Sequence, residues 1–377
     1  MPVKREVAKV KAKKLGWMLM LLFVLSAVAL AQDEDERLDG GYYSLIDRST
    51  GAVVTMTARH LDPGDTYISA DNKEYRVEAI DGDRVLVDCL GEIELPSLSD
   101  SSSSFLTQLV AQGSNDGPVG IYHTHSAESY VPTSGTDSKE TGDIYEVGKS
   151  FQQALEELGL RVLRSDNNHN PHDGGAYVRS RRTVKELLQQ GAVALFDVHR
   201  DAVPPEVYRT TIDGEQMTKV RLVVGRQNPN QQANLEYAKR IKAVADKEVP
   251  GIIEGIFHAK GNYNQDIGPR MMLLEMGAHT TSLEEAQKSA WAFARVIPAA
   301  AGFTPAERPR AARQLGGAAL KAVAWVLFLT LLGGLGFVAL NVGSLEEFKA
   351  RLRGFISREM ANALGLLRRR KPGEDDK

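Results

Sequence analysis

Between Gly117 and Val296 short apolar runs alternate with longer amphipathic ones, and this rhythm limits the available folds more than any other feature. "VGIYH" reads as a buried strand and "VGKSFQQALEELG" as an amphipathic helix closed by Gly159. "LRVLRS", "AVALFDVHRDA", "TKVRLVVG" and "RMMLLEMGAH" have the length and apolar content of strands. "AYVRSRRTVKELLQQG", "QQANLEYAKRIKAVADKE" and "SLEEAQKSAWAFARVI" carry the helical period between them. Strands alternating with helices predict an α/β layer fold, a mostly parallel sheet flanked by helices, over residues 118–303. In such a sheet a site forms at the carboxyl ends of the strands. The sequence shows neither a phosphate-binding loop nor a dinucleotide fingerprint.

The rest of the 377 residues divides by texture. Residues 41–92 alternate apolar and polar positions between turns such as "DPGD" and "DGD", which predicts a small β-rich module. Residues 93–117 contain "SLSDSSSS" and read as a linker. Two charge-free runs flank everything else. Leu15–Ala31, 17 residues within segment 1–31, follows six basic residues and precedes "QDEDE", an order that places its start in the cytoplasm. Both a membrane anchor and a signal cleaved after "ALA" fit it. Ala322–Val342 has 21 residues, enough to cross a bilayer core of about 30 Å, and is expected to be a transmembrane helix. Residues 344–377 form a basic amphipathic segment suited to an anionic cytoplasmic leaflet. The expected arrangement is a cell-membrane protein with both ends inside and the β-rich and α/β parts outside, the former near the membrane. A net charge of -3 offers no footing for nucleic acid, and the one cysteine, Cys89, excludes a cysteine-based metal cluster.

Polar residues interrupt three of the strand ends. His123, His125 and Glu128 follow the first, Asp197, His199, Arg200 and Asp201 end another, and Glu275 ends a third. Neighbouring carboxyl ends of parallel strands converge, so these residues are expected to meet. Two histidines and a glutamate are a common ligand set for catalytic zinc, which leaves a position for water. His125 and Glu128, three residues apart, and His199 are the expected ligands of Zn2+, with Glu275 as general base. His123 remains an alternative to His125. Asp197 or Asp201 is expected to orient a ligand imidazole, and Arg200 or Arg270 to hold a substrate carboxylate or polarise a carbonyl. His279 is expected in a loop, and His60, His169, His172 and His258 on the surface.

The stretches "IYHTHSAESYVP", "GGAYVRSRRTV", "FDVHRDA", "GNYNQDIGPRMMLLEMG" and "SLEEAQKSA" resemble, in order and spacing, the stage II sporulation protein P family of cell-wall hydrolases. The resemblance runs from roughly Thr50 to Val296. It implies a fold similar to zinc-dependent N-acetylmuramoyl-L-alanine amidases and zinc exopeptidases. It also implies the same four positions, His125, Glu128, His199 and Glu275. The implied activity is cleavage between muramic acid and the stem peptide of peptidoglycan, in some members of peptide cross-links too. The implied partners are a lytic transglycosylase and a membrane protein during engulfment. Two other readings stay open: a zinc carboxypeptidase acting on peptides, and a non-catalytic, membrane-tethered wall-binding scaffold.

Overall fold

The computed structural model describes residues 36, 37, 39–97, 117–303 and 325. Segment 1–31, most of the linker, the apolar run 322–342 apart from Trp325, and the tail 344–377 lie outside the described residues. Among the described residues no helix is long and apolar enough to cross a membrane.

Thirteen described strands run β1 (Tyr43–Asp47), β2 (Val53–Thr57), β3 (Thr66–Ser69), β4 (Lys73–Asp81), β5 (Arg84–Glu92), β6 (Val119–Tyr122), β7 (Val162–Arg164), β8 (Ala194–Asp201), β9 (Arg209–Ile212), β10 (Glu215–Thr218), β11 (Val220–Gly225), β12 (Ile253–Ala259) and β13 (Met271–Ala278). The described α-helices are α1 (Val131–Ser134), α2 (Ile144–Glu157), α3 (Ala176–Gln189), α4 (Gln231–Glu248), α5 (Leu283–Ala294) and α6 (Ile297–Ala301). Sequence spacing explains them. In α2 the buried Ile144, Val147, Phe151, Ala154 and Leu155 recur every three to four residues, one face of a helix. At α5 the Ser282 side chain accepts from Glu285 N while Glu285 reaches back to Ser282 N, a reciprocal cap that fixes the start.

Eleven strands form one sheet in the order β2-β1-β5-β4-β3-β12-β11-β13-β8-β6-β7. It is mixed, which corrects the expectation of a mostly parallel sheet. The block β13-β8-β6-β7 is parallel, as expected from its helical crossovers. β11 and β12 are parallel to each other, through α4, but β13 is antiparallel to β11. The link from β12 to β13, residues 260–270, carries only a short 3-10 turn at Gln265–Ile267. A parallel return needs a crossover of about a dozen or more residues, usually a helix. This link instead turns the chain back beside β11. The strands expected over 41–92 are present, and they extend the same sheet, since β3 pairs antiparallel with β12.

Three hydrophobic clusters line the sheet. Residues of α2, α4 and α5, such as Phe151, Ile241 and Phe293, pack with Ile121, Phe196, Leu222 and Leu274. Leu45, Val77, Val85 and Val87 from the first strands gather with Val223, Phe257 and Leu273, and Val184 and Leu187 of α3 with Tyr122 and Leu195. Every residue of β6, β8 and β13 is buried, so polar side chains at their ends are held in a dry frame.

Candidate metal centre

β6, β8 and β13 run side by side in one direction, so their carboxyl ends share an edge. His125 and Glu128 lie in the turn after β6. That turn is fastened by Thr124, whose N donates to Asp197 Oδ1 at 2.8 Å and whose hydroxyl donates to Oδ2 at 2.6 Å. Asp197 also lies 3.0 Å from His199 Nε2. One carboxylate on β8 therefore lies against both segments, and Nδ1 is the His199 nitrogen that faces Glu128.

Glu128 Oε1 is 3.3 Å from His125 Nδ1 and 3.4 Å from His199 Nδ1. Donors about 2.0–2.1 Å from a tetrahedral zinc stand about 3.3–3.4 Å from one another, so both separations suit edges of one coordination tetrahedron. Arg200 N donates to Glu128 Oε2 at 3.0 Å, which turns Oε1 towards the imidazoles. The three side chains are 1–2% exposed. Two buried imidazoles and a carboxylate suit zinc in chemistry, and the two separations at Glu128 Oε1 match its spacing.

Glu275 stands in register with His199 on the adjacent strand. Its Oε1 accepts from Arg59 Nη2 at 2.5 Å, while the buried Oε2 has no hydrogen-bond partner. The register breaks directly after Glu275, and Gly277 there takes φ +85°, a conformation that side-chain-bearing residues rarely adopt. A Cβ on Gly277 would also meet Thr218 Cγ2 at 2.7 Å.

Charges in the cluster are strongly coupled. Burial pushes the Glu128 carboxyl up, but His199, Arg200 and His125 outweigh it and hold the pKa well below the carboxylate range. Burial disfavours a charged His199, yet Asp197 and Glu128 overcome it and keep the imidazolium pKa well above its ordinary value. Burial raises Glu275 to about 7, with Arg59 pulling in the opposite direction.

The other sequence-predicted residues are spread more widely. His123 points to the α2 side, with its ring edge-on to Tyr145 at 4.9 Å and Nδ1 3.0 Å from Val198 O. Burial lowers its pKa to about 4. A Cβ on Gly148 would lie 2.4 Å from its Nε2, so the helix can pass there only as glycine. Arg200 Nη1 is 3.9 Å from Glu128 Oε1, at the centre. Arg270 precedes β13, about 16 Å of strand from Glu275. Asp201 is engaged by other partners, accepting from Arg221 Nη1 at 2.5 Å and Tyr208 Oη at 3.0 Å. His279 occupies the turn after β13, as expected.

Sequence reasoning missed four neighbours. His172, expected on the surface, stacks on His125 with ring centroids 3.9 Å apart. His169, likewise expected outside, is 1% exposed, with Nε2 2.8 Å from Thr183 Oγ1. Glu36 and Arg59 come from the far end of the sequence, opposite one another in an isolated bridge. Glu36, His125, Glu128 and His172 each offer one donor atom, all within 4.8 Å of one another. The pair "HNPH" in a polar loop was the available signal for His172. For Glu36 there was none.

The curated Stage II sporulation protein P of Bacillus subtilis (strain 168) is 33% identical over 199 residues, 48% of this chain and 50% of the relative. The chain thus spans about half the length of the curated relative it matches. Among solved structures, an N-acetylmuramoyl-L-alanine amidase from Clostridium difficile 630 is similar at 16% identity and a TM-score of 0.33, covering 50% of this chain and 95% of that one. The amidase AmiC2 of Nostoc punctiforme is similar at 16% identity and a TM-score of 0.32, covering 49% and 96%. Residues 68–298, more than half the length, match the family model of Stage II sporulation protein P, and the chain belongs to that family.

Proposed function

We propose that the chain is a zinc-dependent N-acetylmuramoyl-L-alanine amidase that hydrolyses peptidoglycan between muramic acid and the first alanine of the stem peptide. The carrying observation is the pair of separations at Glu128 Oε1, 3.3 Å to His125 and 3.4 Å to His199, with Glu275 on the neighbouring strand. Membership of the stage II sporulation protein P family supports the substrate class.

A zinc ion bound there supplies Lewis acidity towards the scissile carbonyl and the attacking water. Glu275 Oε2 takes the proton of that water and returns it to the leaving amide nitrogen. Arg59 holds Oε1, so the oxygen without a partner does the transfer. A pKa of about 7 suits a group that must accept and release one proton at neutral pH. Asp197 fixes the His199 ring, Arg200 N fixes the Glu128 carboxylate, and the buried surroundings keep bulk water away.

The same reading places the chain in the cell membrane through one or both apolar runs, with residues 36–303 outside, where the wall lies. It includes peptide cross-links as a second target, and a lytic transglycosylase and a membrane protein of the engulfment machinery as partners. Incubation with purified muropeptides tests the activity. New N-terminal alanine with glycan freed of peptide is the expected product. New termini only within the peptide would replace the amidase by a peptidase, and intact muropeptides with zinc-loaded protein would leave a wall-binding role.

A further inference from the structure

We propose that Tyr263, in the link from β12 to β13, is a positioning residue for the hydrolysis, holding the Arg59 guanidinium where it aims Glu275. The inference rests on Glu275 as general base and adds a residue that acts on it at one remove.

Three observations point there. The first is a junction between two stretches, "GGAYVRSRRTV" and "GNYNQDIGPR", that supply neither a proposed ligand nor the base. Arg181 of α3 grips Asp266 twice, Nη1 to Oδ1 at 2.8 Å and Nη2 to Oδ2 at 2.5 Å. Asn264 Nδ2 is 3.0 Å from both Tyr177 O and Ser180 Oγ, its acceptors on the same helix. Between these clips the rings of Tyr177 and Tyr263 meet edge to face, with centroids 5.5 Å apart. Tyr263 is 4% exposed, so the junction encloses its ring.

The second observation is the backbone that carries the ring. Gly261, Tyr263 and Asn264 take φ of +136°, +52° and +57°. Asparagine adopts the left-handed region readily, but a bulky side chain such as tyrosine is a true outlier there. A Cβ on Gly261 would lie 2.4 Å from Tyr263 Cζ, so the ring folds back over a position that only glycine leaves open. Tyr263 Oη donates to Lys260 O at 2.5 Å and fixes that posture. Such backbone costs stability and persists where its surroundings over-determine it, commonly at functional sites. What this turn delivers is the placement of one ring.

The third is what the ring faces. Arg59 Cζ lies over it, 5.0 Å from the centroid, and Arg59 Nη2 donates to Glu275 Oε1 at 2.5 Å. A guanidinium is drawn to an aromatic face, more strongly where water is excluded, and Arg59 is 5% exposed. Its backbone is placed separately, since the neighbouring Ala58 N donates to Asp201 Oδ1 at 3.1 Å. The long side chain still has several torsions to settle, and the Tyr263 ring is the surface that settles them. Arg59 in turn decides where the unpartnered Oε2 of Glu275 points. Displacing a catalytic group by about 1 Å can cost about 10²-fold in rate, so a ring at one remove from the base matters to turnover.

Variants of the full chain test this by kinetics on purified muropeptides. Tyr263→Asn suits the left-handed backbone and Tyr263→Leu keeps an apolar side chain in the buried cluster, so the two remove the ring with different structural costs. In both, kcat should fall about tenfold while KM stays within about twofold, and Tyr263→Phe should match the wild type. Zinc content should stay at about one per chain throughout. In an Arg59→Ala chain the same Tyr263 substitutions should change kcat by less than about twofold, because no guanidinium remains to be placed. Melting of the metal-free proteins gives a readout apart from turnover: the Tm losses of Arg59→Ala and Tyr263→Leu should sum to more than the loss in the double variant. An unchanged kcat, or a full loss repeated in the Arg59→Ala chain, would overturn the proposal. So would a raised KM at constant kcat, which would put the ring against substrate, or a loss of zinc, which would make it a support of the ligands. A wild type that leaves muropeptides intact would overturn the amidase reading itself. The Tm comparison would then still decide the ring–guanidinium contact, additive losses counting against it.

Discussion

His199 has a carboxylate at each ring nitrogen, Asp197 at Nε2 and Glu128 at Nδ1, and this fixes how the centre responds to pH. The pair keeps the metal-free imidazole protonated above its ordinary pKa of 6.5. Zinc must therefore displace that proton, and its apparent affinity should climb about tenfold per pH unit until the raised pKa is passed. A flat profile between pH 6 and 7 in chelator competition would show that His199 is neutral or not a ligand. The stability of the metal-free fold should move the opposite way. A pKa raised on folding contributes stability that is present below the unfolded value and lost as pH rises through the folded one. His199 has that sign above 6.5, and Glu275 has it from 4.5 to about 7. His123 has the reverse sign, but only between about 4 and 6.5. Calorimetry with chelator should show Tm falling above pH 6.5, and a rise there would contradict these charge states. Glu275→Gln should keep zinc and lose at least about 10²-fold in hydrolysis, because proton transfer is removed while the ligands stay. A variant without zinc would make Glu275 a ligand. The three ligand candidates and the base were legible because each follows an apolar strand. Arg59, Glu36 and His172 were not, since their roles depend on contacts that no local spacing encodes.

Strand β12 shows where element-scale reading stops. Its sequence, "IEGIFHA", places Glu254 and His258 in an apolar run, and the charge hides a strand buried at six of seven positions. Glu254 is accommodated by a partner on β11, since Arg221 Nε donates to it at 2.5 Å. Arg221 also donates to Asp201 on β8 and, through Nη2, to Thr55 on β2 at 2.8 Å. This fully buried guanidinium ties three parts of the molecule, so its loss would leave two carboxylates without their cation. Arg221→Ala should destabilise by about 3–5 kcal/mol in urea unfolding. A change below about 1 kcal/mol would mean the network contributes little beyond filling space. The helices were easier to read than the strand directions. Amphipathic period and capping residues mark α2 and α5 directly, whereas the antiparallel entry of β13 depends on the length of a link and on which neighbour is free.

At the scale of the whole molecule, the N-terminal strands complete the α/β unit. β3 covers the edge of β12, Lys242 Nζ of α4 reaches Ala70 O at 3.0 Å, and Arg59 meets Glu275. A fragment starting at residue 98 would expose the β12 edge and strip Arg221 and Glu275 of partners. It should aggregate or unfold below the Tm of a fragment starting at residue 36, and equal stability of the two would show the strands to be separable. Texture in the sequence separated 41–92 from 118–303 because composition changes there, while hydrogen bonding across the boundary leaves no mark on composition. The proposed placement outside the membrane is checked by reporters: one in "SLSDSSSS" should be active only outside, one after Lys377 only in the cytoplasm. An externally active C-terminal reporter would mean that Ala322–Val342 does not cross. The account of the centre depends on which histidine completes it, His199 on β8 or His172 stacked on His125. Zinc content per chain in His199→Ala and His172→Ala decides it. The expected values are about none for the first and about one for the second. Zinc retained in His199→Ala and lost in His172→Ala would contradict the account.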